Sequence, residues 1–144
     1  MIGRLAHYAV RANDLEVSTA FYTQALGLSV GPRPSFGFPG VWLYLAHDHA
    51  RAEQGCVHLI GAGEGDARDD YLGRRSRADS AGTGALDHIA FIADDWPGRR
   101  ERLEGMQVRF TERLVPGLGV RQVFLVDPDG VTIELNFPEP ATMA

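Results

Sequence analysis

Four side chains in this 144-residue sequence combine ligand chemistry with regular spacing: His7, His58, His88 and Glu134. His7 and His88 hold the third position of two matching stretches, LAHYAVRANDL (5–15) and LDHIAFIADDW (86–96), at a constant offset of 81 residues. Leu, His, Ala, Ala and Asp are identical between them, and Asn13 stands opposite Asp94. Such self-similarity marks an internal duplication. The copies drift by a few residues and meet again where CVHLI (56–60) lies over TIELN (132–136), which makes Glu134 the counterpart of His58. Imidazole nitrogens and a carboxylate oxygen are donors that divalent first-row cations accept. A lone strand histidine is more simply explained by packing, but the repetition turns these four toward a metal centre.

The elements that must position them follow from periodicity. In VTIELNF, Val131, Ile133, Leu135 and Phe137 share one face of a strand, and Thr132, Glu134 and Asn136 share the other. The same alternation groups Leu5, His7, Ala9 and Arg11, then Leu86, His88 and Ala90, and sets His58 with Cys56 and Ile60. Each copy reads as a strand, a helix and then three strands. The first half predicts strands at 5–11, 29–36, 41–45 and 56–60, and the second at 86–92, 107–114, 121–126 and 131–137. Asn13 with Glu16 resembles a capping box, and Gly27 ends the first helix. Asp94 or Asp95 caps the second, with Pro97 in its first turn and Gly105 at its end. DPDG (127–130) reads as a tight turn. The predicted class is α+β, with paired βαβββ modules forming a curved, cup-like mixed sheet in which the four side chains converge. One domain (1–144) would contain modules at about 4–60 and 85–137, joined by a polar Gly/Asp/Arg-rich linker (61–84) in which Tyr71 and Leu72 could anchor a short helix.

Composition excludes other classes. A net charge of −5 and a pI near 5.4 argue against nucleic-acid and membrane-surface partners, which call for a basic patch. No apolar run reaches transmembrane length and the N-terminus lacks a long apolar stretch, so a cytoplasmic protein is expected. The single cysteine, Cys56, has no basic neighbour in sequence to activate it and reads as a small buried apolar residue.

The doubled βαβββ pattern, with His in the first strand of each half and a ligand-type residue in the last, resembles the vicinal oxygen chelate superfamily, which includes glyoxalase I, methylmalonyl-CoA epimerase, extradiol dioxygenases, and fosfomycin and bleomycin resistance proteins. FYTQALGL (21–28) and DPDGVTIEL (127–135) look like its usual signatures, and the resemblance runs from Leu5 to Phe137. It implies a divalent metal held by His7, His58, His88 and Glu134, with open positions for vicinal substrate oxygens. Glyoxalase I is expected to carry Glu where His58 stands, and the epimerase Gln. Three neutral imidazoles and one carboxylate leave a divalent ion with a formal charge of about +1, matched to an anionic bidentate oxygen ligand. The leading expectation is an extradiol-type dioxygenase on a catechol-like or enediol compound, with Fe(II) ahead of Mn, Zn, Ni or Co, and His58 as fourth ligand or acid/base. The alternative is a glyoxalase-like lyase or isomerase in which Glu134 moves a proton. A metal-free binding protein is the third reading.

For the substrate, Arg11 and Arg121 are candidate partners of a carboxylate, while Trp42, Tyr44 and Phe124 are candidate walls. GPRPSFGFPG (31–40) reads as a hairpin loop at the cup's mouth, and HDH (47–49) as a solvated loop. The expected partners are a small-molecule substrate and a second copy of the chain, because small curved sheets leave edges that benefit from pairing.

Overall fold

The computed structural model describes residues 1, 5, 7–45, 55–61, 82, 86–115 and 119–139. The chain divides into two units, Met1–Ser80 and Ala81–Ala144. In the first, β1 (Tyr8–Arg11), α1 (Leu15–Ala20), a π-helical segment (Phe21–Ala25), β2 (Ser29–Gly31), β3 (Gly40–Tyr44) and β4 (Val57–Ile60) follow in order. The second contains β5 (Ile89–Ile92), α2 (Trp96–Gly105), β6 (Phe110–Val115), β7 (Val120–Val126) and β8 (Thr132–Pro138). Each unit builds one four-stranded sheet, ordered β1-β4-β3-β2 and β5-β8-β7-β6. In both, the first strand pairs in parallel with the last and the other ladders are antiparallel.

The duplication read in the sequence reappears in the strand register. Ala9 stands opposite His58 in the first sheet, and Ala90 opposite Glu134 in the second. Trp42 pairs with His58 just as Phe124 pairs with Glu134. A one-residue slip would send every side chain to the other face, so this agreement means that both copies aim corresponding side chains alike.

Local chemistry explains the elements and two departures from expectation. The cap of α1 is Asp14, whose Oδ1 accepts from the Val17 amide at 3.0 Å. Asn13 is one residue too early for that role, and with Asp14 as cap the third helical residue is Val17, so Glu16 cannot close a capping box. The Thr19 and Thr23 hydroxyls donate back to the Leu15 and Thr19 carbonyls at 2.6 and 2.8 Å, bonds that compete with the regular ladder where the helix widens to π geometry. Gly27, at φ 78°, then reverses the chain. The strand expected over 29–36 stops at Gly31, because Pro32 and Pro34 cannot donate to a ladder. In the second unit Asp95 caps α2, accepting from the Gly98 amide at 3.2 Å.

Each sheet carries a dry layer. Leu43, Val57 and Leu59 are fully buried, and α1 packs on β3 and β4. In β8, Ile133, Leu135 and Phe137 are buried as the alternation requires. The DPDG turn is tied by Asp127, whose Oδ1 accepts from the Asp129 and Val131 amides, both at 2.8 Å, with Gly130 at φ 85°. Among the described residues no helix is long and apolar enough to cross a membrane. The readings of HDH (47–49) and of Tyr71 and Leu72 in the linker lie outside the described residues.

Candidate functional site

The ligand-type residues come in two pairs, one per unit, and among the described residues no three His, Cys, Asp or Glu side chains are grouped so that they could hold one metal ion. In the first unit His7 precedes β1 and His58 lies in the neighbouring β4. Their rings stack with centroids 3.8 Å apart and planes 15° from parallel. Trp42, from β3, stacks on His58 at 4.1 Å and 6°. His58 is therefore buried, and its Nε2 and the Nδ1 of His7 find no hydrogen-bond partner among the described residues. Burial, then the neighbouring His7, and to a lesser extent Arg33 push the His58 pKa down to about 4, against an opposing hydrogen bond to the Gly55 backbone. At neutral pH His58 is an uncharged imidazole.

The second unit solves the same placement with charge. His88 Nε2 lies 2.7 Å from Glu134 Oε2, and its Nδ1 lies 2.7 Å from Asp87 Oδ2. Gln122 Nε2 donates to the other Glu134 oxygen at 2.8 Å. Glu134 is only 6% exposed, so the strand face expected to look away from the apolar layer is buried at this position, while Thr132 and Asn136 on the same face are half-buried. A buried carboxylate is tolerated there because it is hydrogen-bonded on both oxygens. The His88 pKa is raised, first by the hydrogen bond to Asp87 and then by the charges of Glu134 and Asp87, with desolvation opposing.

These donors fit a divalent cation. Two buried imidazole nitrogens without partners are what a metal ligand pair leaves when the ion is not counted. His88 Nε2 and Glu134 would offer a cation a nitrogen and an oxygen, and Asp87 on Nδ1 would keep the tautomer with its lone pair on Nε2.

A cavity of about 80 Å³ adjoins the first pair, lined by His7, Arg33, Phe36, Phe38, Trp42 and His58 together with Ala9, Leu59 and Ile60. Of the expected substrate contacts, Trp42 lines this cavity, and Phe124 meets His88 edge-on at 6.0 Å in the other unit. Tyr44 does not line it: the side chain is buried and its hydroxyl donates to the Pro32 carbonyl at 2.6 Å. Arg121 is occupied by Glu139 at 2.6 Å and Glu112 at 2.9 Å. Arg11 ends β1 opposite Ile60 and is not among the cavity-lining residues. Burial raises the Cys56 pKa, consistent with an unreactive thiol. Sequence reasoning passed over Arg33, Asp87 and Gln122. Asp87 was detectable as the carboxylate beside His88, whereas Arg33 and Gln122 become significant only through strand register.

Residues 4–135 match the model of the Glyoxalase/Bleomycin resistance protein/Dioxygenase superfamily, and the chain belongs to this family. It is 31% identical to a lactoylglutathione lyase of Pseudomonas putida, over 93% of this chain and 84% of that protein. It is 27% identical to an ethylmalonyl-CoA/methylmalonyl-CoA epimerase of Cereibacter sphaeroides, over 94% of this chain and 98% of the relative. The fold is also that of the fosfomycin resistance protein FosX from Listeria monocytogenes, with a TM-score of 0.64 at 16% identity over 98% of this chain and 95% of that one. That FosX structure contains Mn(II) and a dihydroxypropylphosphonic acid.

Proposed function

We propose that this protein is a divalent-metal-dependent lyase or isomerase acting on a small substrate that presents vicinal oxygens. Its metal donors are His7 and His58 from the first unit and His88 and Glu134 from the second. The observation that carries this reading is the shared register of His58 and Glu134 against the strands that follow His7 and His88, combined with the unpartnered His7 and His58 nitrogens. A bound divalent ion would polarise a substrate carbonyl and stabilise negative charge on its oxygens. Glu134 takes and returns the proton that moves between carbons, as the one carboxylate in the set. His58, uncharged above a pKa of about 4, serves as a donor nitrogen or a weak base and not as an acid at neutral pH.

The oxygen-insertion reading, put first on ligand types alone, gives way because relatives of named activity include a lyase and an epimerase. Dioxygenase chemistry enters only through the family's name. Manganese, zinc, nickel or cobalt would serve a purely Lewis-acid role, and iron loses the special standing that dioxygen chemistry gave it. The two units are taken as halves of one functional domain, in a chain that works as a homodimer on a small-molecule substrate.

The deciding experiment is anaerobic purification with elemental analysis, followed by two assays on the same preparation. One follows proton exchange at the carbon beside the carbonyl of 2-hydroxy and 2-oxo compounds in deuterated water, and the other follows oxygen uptake with catechols. Stoichiometric divalent metal with metal-dependent exchange is expected. Bound iron with catechol-dependent oxygen uptake and no exchange would overturn the lyase/isomerase reading.

A further inference from the structure

We infer that Arg33 is the anion-recognising residue of the first unit's cavity, so that its ligand carries an oxyanion, carboxylate or phosphonate, on a small flat apolar body. This deepens the proposed function by naming the substrate class and rests on it only in taking the cavity beside His7 and His58 as the substrate's. Four observations lead there. Among the described residues that line the cavity, Arg33 is the one permanently charged side chain. The guanidinium is held in place by its surroundings: Nη2 donates to the Phe38 carbonyl at 2.9 Å, and the carbon of the fork lies 4.9 and 5.2 Å from the centres of the Phe36 and Phe38 rings. Those rings stack on one another at 5.4 Å, and together with Trp42 they supply flat walls. An arginine fork fixed in this way is preorganised for the two oxygens of a carboxylate or phosphonate.

The fourth observation comes from the duplication. Gly31 faces Trp42 as Thr111 faces Phe124, so Arg33 and Arg113, two residues further along each chain segment, are counterparts. Gly40 faces Ile60 as Gln122 faces Asn136, which makes Gly40 the counterpart of Gln122. In the second unit Arg113 Nε donates to Gln122 Oε1 at 2.9 Å, and Gln122 in turn donates to Glu134. Gly40, the counterpart of Gln122, brings no side chain to Arg33. A Cβ on Gly40 would fall 2.9 Å from Arg33 Nη2 and 3.0 Å from its Nε, so the missing side chain is what lets the guanidinium lie there. Its charge then acts on the cavity and on His58. The volume of about 80 Å³ is several times the roughly 10–15 Å³ that one water requires, which leaves room for an oxyanion head group in place of water.

The test titrates the full-length protein, as purified and again after chelation, with benzoate, phenylphosphonate and the neutral isostere benzamide. Fluorescence of Trp42 is read in a Trp96→Phe background, since these are the two tryptophans of the chain. At least one oxyanion is expected to bind about tenfold or more tightly than benzamide, the range of a charge-assisted hydrogen bond. The preference should survive chelation, vanish in Arg33→Gln and persist in part in Arg33→Lys. Whichever of benzoate and phenylphosphonate binds better identifies the head group. Equal binding of all three probes, binding by none, a preference lost on chelation, or a preference retained in Arg33→Gln would overturn the inference. Should Arg33→Gln fail to fold by circular dichroism, Arg33→Lys decides: full retention or no change in preference counts against the role. Metal content, measured on the same samples, tests the proposed function separately.

Discussion

The pair His7/His58 and the pair His88/Glu134 occupy the same places in two sheets of the same topology, yet they are opposites electrostatically. The first is a stack of three rings with unpartnered nitrogens and a His58 pKa near 4. The second is a chain of hydrogen bonds, Asp87 to His88 to Glu134 to Gln122, in which the imidazole is held toward its protonated form. Duplication preserved backbone register while the residue at one β4/β8 position became His in one copy and Glu in the other. Fold and register therefore set where donors stand, and single side chains decide the charge found there.

Removing the charged pair should have the largest effect. Glu134→Ala takes away the one carboxylate among the proposed donors, and metal affinity should fall by about tenfold to a hundredfold or more, since even outer partners of ligands cost that much. His88→Ala should behave similarly, with both variants still folded. Elemental analysis after gel filtration checks this, and full metal content in both would end the ligand assignment. Next in size is an exchange between the units. Gly40→Gln imports the second unit's solution into the first, but the new Cβ would stand 2.7 Å from the Leu59 carbonyl oxygen as well as against Arg33. Overpacking of this kind costs up to about 3 kcal/mol. The same variant should weaken oxyanion binding by drawing the guanidinium away. Urea unfolding together with the fluorescence titration would separate the two effects, and a variant as stable as the parent would show that the strand has room.

Much of this arrangement was legible in the sequence. The 81-residue repeat predicted two matching modules, and both helices, all eight strands and the DPDG turn appear near the expected positions. Misread boundaries have local causes: the prolines that stop β2 at Gly31, and a cap that falls on Asp14 because its carboxylate, and not the Asn13 amide, reaches the Val17 amide. Period-two alternation put each ligand-type residue on a strand face, and the repeat matched His7 with His88 and His58 with Glu134. The contacts of His7 with His58 and of His88 with Glu134 come instead from the parallel ladders of β1 with β4 and β5 with β8. Which arginine faces the cavity did not follow, because Arg11 shares a strand face with His7 in sequence, whereas Arg33 arrives from a loop after β2 and is admitted by a glycine on β3. Such a relation depends on register across three strands, and no local pattern encodes it.

The electrostatic contrast also predicts opposite pH responses. His58 has a folded pKa below its ordinary 6.5, so its contribution to stability is present above pH 6.5 and is lost as pH falls toward about 4. For the chelated protein this amounts to about 2 kcal/mol between pH 7 and pH 5. His88 has a raised pKa, so its contribution is present below pH 6.5 and is lost as pH rises through the folded value. Urea unfolding at the two pH values should show a flatter acid loss in His58→Gln and a steeper one in His88→Gln. Equal slopes in both variants would mean that the two pairs do not differ as the geometry says.

The smallest effect isolates the cause of the His58 shift. Desolvation is its largest contribution, and the part of that shield that can be removed without touching a proposed metal donor is Trp42, stacked at 4.1 Å. Trp42→Ala should cost more than the stack alone, since it also opens a void, so Trp42→Leu is the cleaner change. It keeps apolar volume and gives up about 1 kcal/mol of ring stacking. Water reaching the imidazole would then let the His58 pKa climb back toward 6.5, and an NMR titration of the ring protons measures that directly. If the value stays near 4 in Trp42→Leu, the shift comes from strand burial and from the charges of His7 and Arg33. The aromatic wall would then be a substrate surface only, and the neutrality of the first pair would belong to the backbone fold instead of to its rings.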